Sequence, residues 1–334
     1  MLLLVDKFII IFMKLISILF IVILFMVGKV TAQENYSNNQ IDSLIKVNSA
    51  FIYQNPKKSY DLAKITYKAS SENKYDIGMA MSLRKISLYH SEILKDYNQA
   101  LSFNDKGFEI AKKINNDSLK LYFNFGKGAL YGKLGFIKKG IKIIDECLNN
   151  TDAITNFKKR CLVRGDLYTH KANFLSMLKP AESNAVILQN YIKAMQEYEQ
   201  ALDICLDAGY TNVGYYYSEL NRIDDAIFYF NKAIKFYKNK NIISCEIEYT
   251  NLSDIYFRKG EFQKALKYAD SSNAICLKMN PKNYSLISQN YRLYKNIYQE
   301  LDSSEVVTKF YNLELIYKDS LNLVKENQLG ESAK

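Results

Sequence analysis

Two histidines, five cysteines and one glycine-rich hexapeptide are the residues of this 334-residue chain whose types could do chemistry. His90 and His170 stand far apart, and neither has a second histidine or a carboxylate pair at metal-ligand spacing. A lone histidine on a helix is ordinarily a packed or surface side chain. Cys161 precedes His170 by nine positions, an interval that offers no oriented nucleophile and base. The cysteines are Cys147, Cys161, Cys205, Cys245 and Cys276. No CxxC occurs among them, which removes the basis for a zinc ribbon or a redox dithiol. Their odd number excludes complete pairing within the chain. Buried free thiols are the expectation, with a Cys147–Cys161 bridge left open for an oxidising compartment. The stretch GALYGK (Gly128 to Lys133) has the look of a phosphate loop. Its spacing is one short, no Ser or Thr follows Lys133, and no strand precedes it. No G-x-S-x-G, H-E-x-x-H or Rossmann glycine pattern appears. The chain is therefore expected to be no enzyme, with no cofactor and no metal.

The same glycines make sense as helix-packing residues. Small, Tyr, small triplets recur at multiples of about 40 residues: Gly128/Tyr131/Gly140, Gly214/Tyr217/Ala226 and Ser253/Tyr256/Ala265. Two helices of a hairpin approach closely only where side chains are small, and a tyrosine fills the space beside such a contact. In the second helix Ala226, Phe230 and Ala233 stand at i, i+4 and i+7 on one face. Gly140/Ile144/Cys147 and Ala194/Tyr198/Ala201 repeat that spacing. Between the helices stand Gly135, Asn221 and Gly260, residues that tolerate a left-handed helix end.

This pattern resembles the tetratricopeptide repeat. Second-helix small positions align as Ser59, Ala100, Gly140, Ala194, Ala226, Ala265 and Val307. The family's usual first-helix Trp is missing, since the chain contains no Trp. The widest step, from Gly140 to Ala194, predicts one unit with an insertion near Ser176 to Asn190. The resemblance implies an all-α protein, an α-solenoid of about seven antiparallel helix hairpins, with the array over residues 33–318 and a polar C-terminal tail over 319–334. In the family the first helix of each unit lines a concave groove that binds peptides or extended segments. Carried over to this sequence, that face implies Lys85 and Tyr89, Tyr122 and Lys133, then Thr211, Tyr215 and Ser218. Thr250, Asp254 and Arg258 follow, then Arg292, Asn296 and Gln299. Such polar and aromatic side chains suit a protein or peptide partner.

Composition agrees with this organisation. Three prolines and 13 glycines leave long stretches free of breakers, and 27 tyrosines supply aromatic packing. The formal net charge is +10, but lysines are spread through the chain with no long basic run. That distribution reads as a solvated face, so no nucleic-acid partner is expected. From Met13 the chain reads MKLISILFIVILFMVGKVTAQEN, a basic residue, a 13-residue apolar core and a small-residue cleavage site before Gln33. Residues 1–32 are thus expected to be a signal peptide and the protein to be exported to the periplasm or cell envelope. If uncleaved, Phe8 to Val27 would form an N-terminal membrane anchor, although Lys14 inside that run opposes a spanning helix. No second apolar run of about 20 residues follows the repeats. An exported array of this style also resembles the sensor part of some bacterial membrane regulators. The main expectation is a non-enzymatic binding scaffold, and the alternative is a sensor part whose output domain is absent from this chain.

Overall fold

The computed structural model describes residues 36–51, 55–178, 183–202, 205–240, 244–279 and 282–332. Fourteen α-helices run through them and fall into seven consecutive hairpins. The first four pairs are α1 (Asn38–Phe51) with α2 (Pro56–Glu72), α3 (Asp76–Glu92) with α4 (Tyr97–Lys113), α5 (Asp117–Lys133) with α6 (Ile137–Asn149), and α7 (Phe157–Met177) with α8 (Asn184–Ala201). The last three are α9 (Leu206–Glu219) with α10 (Ile223–Asn239), α11 (Glu246–Arg258) with α12 (Phe262–Lys278), and α13 (Tyr284–Glu300) with α14 (Ser304–Ser332). A single 3₁₀ turn, Thr151–Ala153, joins α6 to α7. The expected all-α solenoid of seven hairpins is the observed fold.

Local sequence sets the helix ends. Asn55, Asp96, Asn116, Asn156, Ser183 and Asn283 each accept a bond from a backbone N–H in the first turn of the helix they precede. Gly135, Asn221 and Gly260 all take positive φ, at +87°, +57° and +76°. Beside them the amides of Phe136, Arg222 and Glu261 donate back to the carbonyls of Tyr131, Tyr217 and Tyr256 at 2.8–2.9 Å. These are six-to-one helix closures, and the repeat tyrosine supplies the acceptor each time. Its ring then packs on the second helix: Tyr217 stacks on Tyr229 and Tyr256 on Tyr268, both at 5.4 Å.

The small positions are close approaches, as expected. A Cβ on Gly140 would lie 2.9 Å from the carbonyl oxygen of Gly128, and one on Gly132 would lie 2.0 Å from the Phe174 ring. The GALYGK glycines are helix contacts, not a phosphate cradle. The insertion expected near Ser176 to Asn190 is helical on its far side. Ala194 stands two turns deeper into α8 than Gly140, Ala226 or Ala265 stand in their helices. The added turns close on the lengthened α7 through buried Ile187, Leu188 and Tyr191, whose hydroxyl donates to Asn173.

Each second helix packs on the first helix of the next hairpin, which joins the units into one array. First helices of successive hairpins also approach one another (α1–α3, α3–α5, α5–α7, α9–α11 and α11–α13), whereas among the described residues no two second helices do. The first helices therefore lie on the inner side of the curve. All five cysteines are free, and all but Cys205 are buried. The tail boundary expected at residue 318 falls inside α14, which continues to Ser332. The signal-peptide or anchor segment, residues 1–32, lies outside the described residues. Among those described, no helix is long and apolar enough to cross a membrane.

Candidate binding groove on the first helices

Where a hairpin turn has three residues, the first-helix small residue stands twelve positions before its second-helix partner. The side chains one after it and three before it face the inner side. In α5 these are Ala129 and Phe125, which line a cleft of about 240 Å³ between α3, α5 and α7. Arg84, Tyr122, Lys133, Asp166 and His170 complete its polar wall. The Arg84 guanidinium lies over the Tyr122 ring at 5.0 Å. Burial pushes the Tyr122 phenol up, Arg84 opposes the shift and Asp166 adds to it. Lys133 ion-pairs with Glu92 and donates to Ser91 Oγ at 3.1 Å. Burial acts to raise the Glu92 carboxyl, but Lys133 holds it below its ordinary value. His170 sets its ring edge-on to Phe125 at 5.1 Å, and its Nδ1 lies 3.0 Å from the Asp166 carbonyl. It is a packed wall residue. No group of three or more His, Cys, Asp or Glu suited to a metal ion exists among the described residues.

Tyr122 and Lys133 thus stand where the resemblance implies. Lys85 and Tyr89 do not. Both are buried, and Tyr89 stacks on Tyr60 of α2 with centroids 4.3 Å apart. Burial and neighbouring Arg84 push the Lys85 ammonium down to about 8. The physical reason is one extra residue in the turn. Ile93 to Asp96 separates α3 from α4 by four residues, where α5–α6, α9–α10, α11–α12 and α13–α14 use three. Twelve positions back from Ala100 is Leu88, but the structural equivalent is Ser87. Its Oγ donates to the Ala100 carbonyl at 2.7 Å, as Ser253 Oγ donates to Ala265 at 2.9 Å. The inner positions of α3 are therefore Arg84 and Leu88. The pattern of a small residue at Ser87 was the signal that could have placed them.

In the second half of the array, Thr250 and Ser218 are buried, and Thr250 Oγ1 donates to the Glu246 carbonyl at 2.9 Å. Tyr215 is exposed, and Thr211 is half-buried and donates to Glu248. Arg258 pairs with Asp254 at 3.0 Å and donates to Ser218 Oγ of the preceding hairpin. Arg292 is exposed and Asn296 half-buried on α13. The arrangement offers a run of exposed aromatic, cationic and amide groups along the inner helices, with much of its charge already paired laterally. Sequence reasoning missed the two carboxylates behind it. Glu246 and Glu248 are buried, and each has one carboxylate oxygen without a hydrogen-bond partner. They occupy the places that α5 fills with Leu121 and Phe123. Burial pushes Glu248 up to about 7; the Thr211 bond opposes this, while Glu246 and Asp207 add to it.

The repeat geometry defines an α-solenoid of tetratricopeptide type. The tetratricopeptide repeat family model matches residues 208–240, the hairpin of α9 and α10, and the other hairpins share its helix–turn–helix arrangement. A search of curated protein sequences returns no match. Solved structures share the fold at low identity. The apo quorum sensor NprR from B. thuringiensis is 14% identical, with 86% of this chain and 79% of that one covered, at a TM-score of 0.58. A Rap protein complexed with Competence and Sporulation Factor is 14% identical, with 87% and 90% covered, at 0.54. Pseudomonas aeruginosa PilF is 14% identical, with 77% and 97% covered, at 0.52.

Proposed function

We propose that this protein is a non-enzymatic scaffold that holds a protein or peptide segment in the groove of its first helices. The observation that carries this reading is the inner face itself. It runs from the Arg84–Tyr122 cleft to Tyr215, Asp254, Arg258 and Arg292, and it lies on helices held rigid by close small-residue contacts. A rigid array of exposed aromatic and hydrogen-bonding groups loses little freedom when a segment binds along it. The like fold of a quorum sensor and of a Rap protein seen in complex with a factor supports the same class of function. The N-terminal stretch from Met13 to Gln33 supports export to the cell envelope, and the intact mass of the native protein tests it. A mature chain starting at Gln33 is expected. One retaining Met13 would mean membrane association through that segment.

The binding reading is tested by affinity capture from envelope extracts with the wild-type protein, a Tyr122→Ala/Tyr215→Ala variant and an outer-face Lys267→Glu control. Capture of a defined partner by the wild type and by the control, with loss in the groove variant, is expected. Equal capture by all three would overturn it. A second reading, the sensor part of a regulator, draws on the likeness to NprR. Unchanged gene expression on deletion of the gene would remove it.

A further inference from the structure

We propose that the cleft between α3, α5 and α7 holds one neutral aromatic side chain of the bound segment, a tyrosine or tryptophan whose O–H or N–H donates to Asn104. The inference rests on the reading that a segment lies along the inner helices, and it names the side chain that segment must present. Asn104 stands on α4, four residues after the small position Ala100. Hairpins one, three, five and six carry Ala63, Ile144, Phe230 and Ala269 at that place, all buried. Asn104 is as buried as these, at 3%, yet it is an amide. Its Nδ2 donates to the Phe123 carbonyl at 2.9 Å, and among the described residues its Oδ1 accepts no hydrogen bond. An acceptor left unpaired in a core position weakens the fold. A second departure from the repeat opens that oxygen to a partner. Gly126 of α5 lies two positions before the small residue Gly128, where α3, α9, α11 and α13 carry Lys85, Asn212, Asn251 and Leu293. A Cβ on Gly126 would fall 2.5 Å from Asn104 Oδ1. The glycine leaves the oxygen accessible from the cleft, which both residues line.

The rest of the cleft selects the occupant. Its volume of about 240 Å³ is below the roughly 300–1,000 Å³ of pockets that take a whole drug-sized ligand, and it suits one large side chain. Leu88, Phe125, Ala129 and Leu130 give it apolar walls. The Phe125 and His170 rings meet there edge to face, a surface on which a further ring packs well. Ala129 makes the room, since α9 carries Tyr215 at the same place. The charged groups lining the cleft are two cations and two carboxylates, Arg84 and Lys133 with Glu92 and Asp166. Lys133 pairs with Glu92, and Asp166 accepts from the Tyr198 hydroxyl at 2.8 Å. This balance favours neither sign of charge, and an anionic tip would face the Asn104 acceptor. A neutral ring with one donor satisfies both the walls and the floor.

Titration of the full chain with end-blocked glycine pentapeptides, followed by NMR at millimolar peptide, tests this. The central residue is tyrosine, tryptophan, phenylalanine, glutamine or lysine. The tyrosine and tryptophan peptides should bind, and the phenylalanine peptide should bind about tenfold more weakly for want of one hydrogen bond in a buried site. Asn104→Ala, which installs the residue of hairpins one and six, should lower the tyrosine affinity to that of phenylalanine. Gly126→Ala covers the same oxygen with Asn104 in place and should do the same. Ala129→Leu fills the cleft, at a position where α9 accommodates a tyrosine, and should abolish binding of all three aromatic peptides. Equal affinity for tyrosine and phenylalanine, a preference that survives both Asn104→Ala and Gly126→Ala, tighter binding of glutamine or lysine, or no binding of any peptide would each overturn the proposal. Affinity capture separates it from the groove reading. A partner lost by Tyr122→Ala/Tyr215→Ala yet retained by Ala129→Leu would leave the groove standing and remove this subsite.

Discussion

Glu248 is the residue at which stability and acidity are most directly linked. It sits 2% exposed, in a place where the third hairpin carries Phe123. Asp207 and Thr211 of α9 and Glu246 of its own helix act on it, while Tyr237 of α10 bonds Asp207. Its folded carboxyl is raised from 4.5 to about 7, so the folded state holds its proton longer than the unfolded state does. The stabilisation is complete below the unfolded value and is lost as pH rises through the window from about 4.5 to about 7. Glu248→Gln mimics the protonated form at every pH. Its stability relative to wild type should therefore rise by about 2–3 kcal/mol between pH 5 and pH 8. Urea midpoints at the two pH values check this, and a difference that does not change with pH would refute the assignment. The residue was not legible from sequence, because a glutamate two positions from another on a helix reads as solvent-facing until the neighbouring hairpin is placed over it.

At the scale of the element, the hairpin was legible because its constraints are steric and local. Gly135 turns the chain at positive φ, and a Cβ there would meet nothing within 4 Å. Gly135→Ala should therefore cost about 1 kcal/mol through backbone strain alone. Asn221→Gly should be neutral or slightly stabilising at the equivalent turn, and denaturant midpoints distinguish the two. Ala226 is fully buried against α9, where a Cβ on Gly214 would already lie 3.3 Å from the Ala226 carbonyl. Ala226→Leu should overpack this contact and destabilise by about 1–3 kcal/mol, and an unchanged midpoint would contradict the close approach. Turn length was the part of the element that spacing alone misjudged. The one extra residue between Ile93 and Asp96 rotates the inner face of α3 by a full residue, from Lys85 and Tyr89 to Arg84 and Leu88. The wide step to Ala194 likewise proved to be two more turns of α8, because Ile187, Leu188 and Tyr191 continue an apolar face that a loop would not need.

For the whole molecule, the solenoid makes stability a matter of neighbours. Among the described residues each hairpin packs only on the ones beside it, so damage should stay local. In Ala226→Leu, amide hydrogen exchange should quicken in α9, α10 and the adjoining α8 and α11, while α3 and α4 keep their protection. Uniform loss across the chain would mean one cooperative core in place of an array. In the second half of the array Tyr215 and Arg258 are exposed and Thr211 and Asp254 half-buried, while Thr250 and Ser218, read from the same face, are buried. In the first half the groove was partly hidden, because Asp166 and His170 come from a lengthened helix with no repeat signature of its own. The central claim is that a partner lies along the inner helices, and site-specific photocrosslinking in cells tests it most directly. A photoreactive residue at Tyr122 or Tyr215 should each yield the same discrete protein adduct, and one at outward-facing Lys142 or Lys267 should yield none. Adducts from the outer positions alone would place the partner on the other face and contradict the groove.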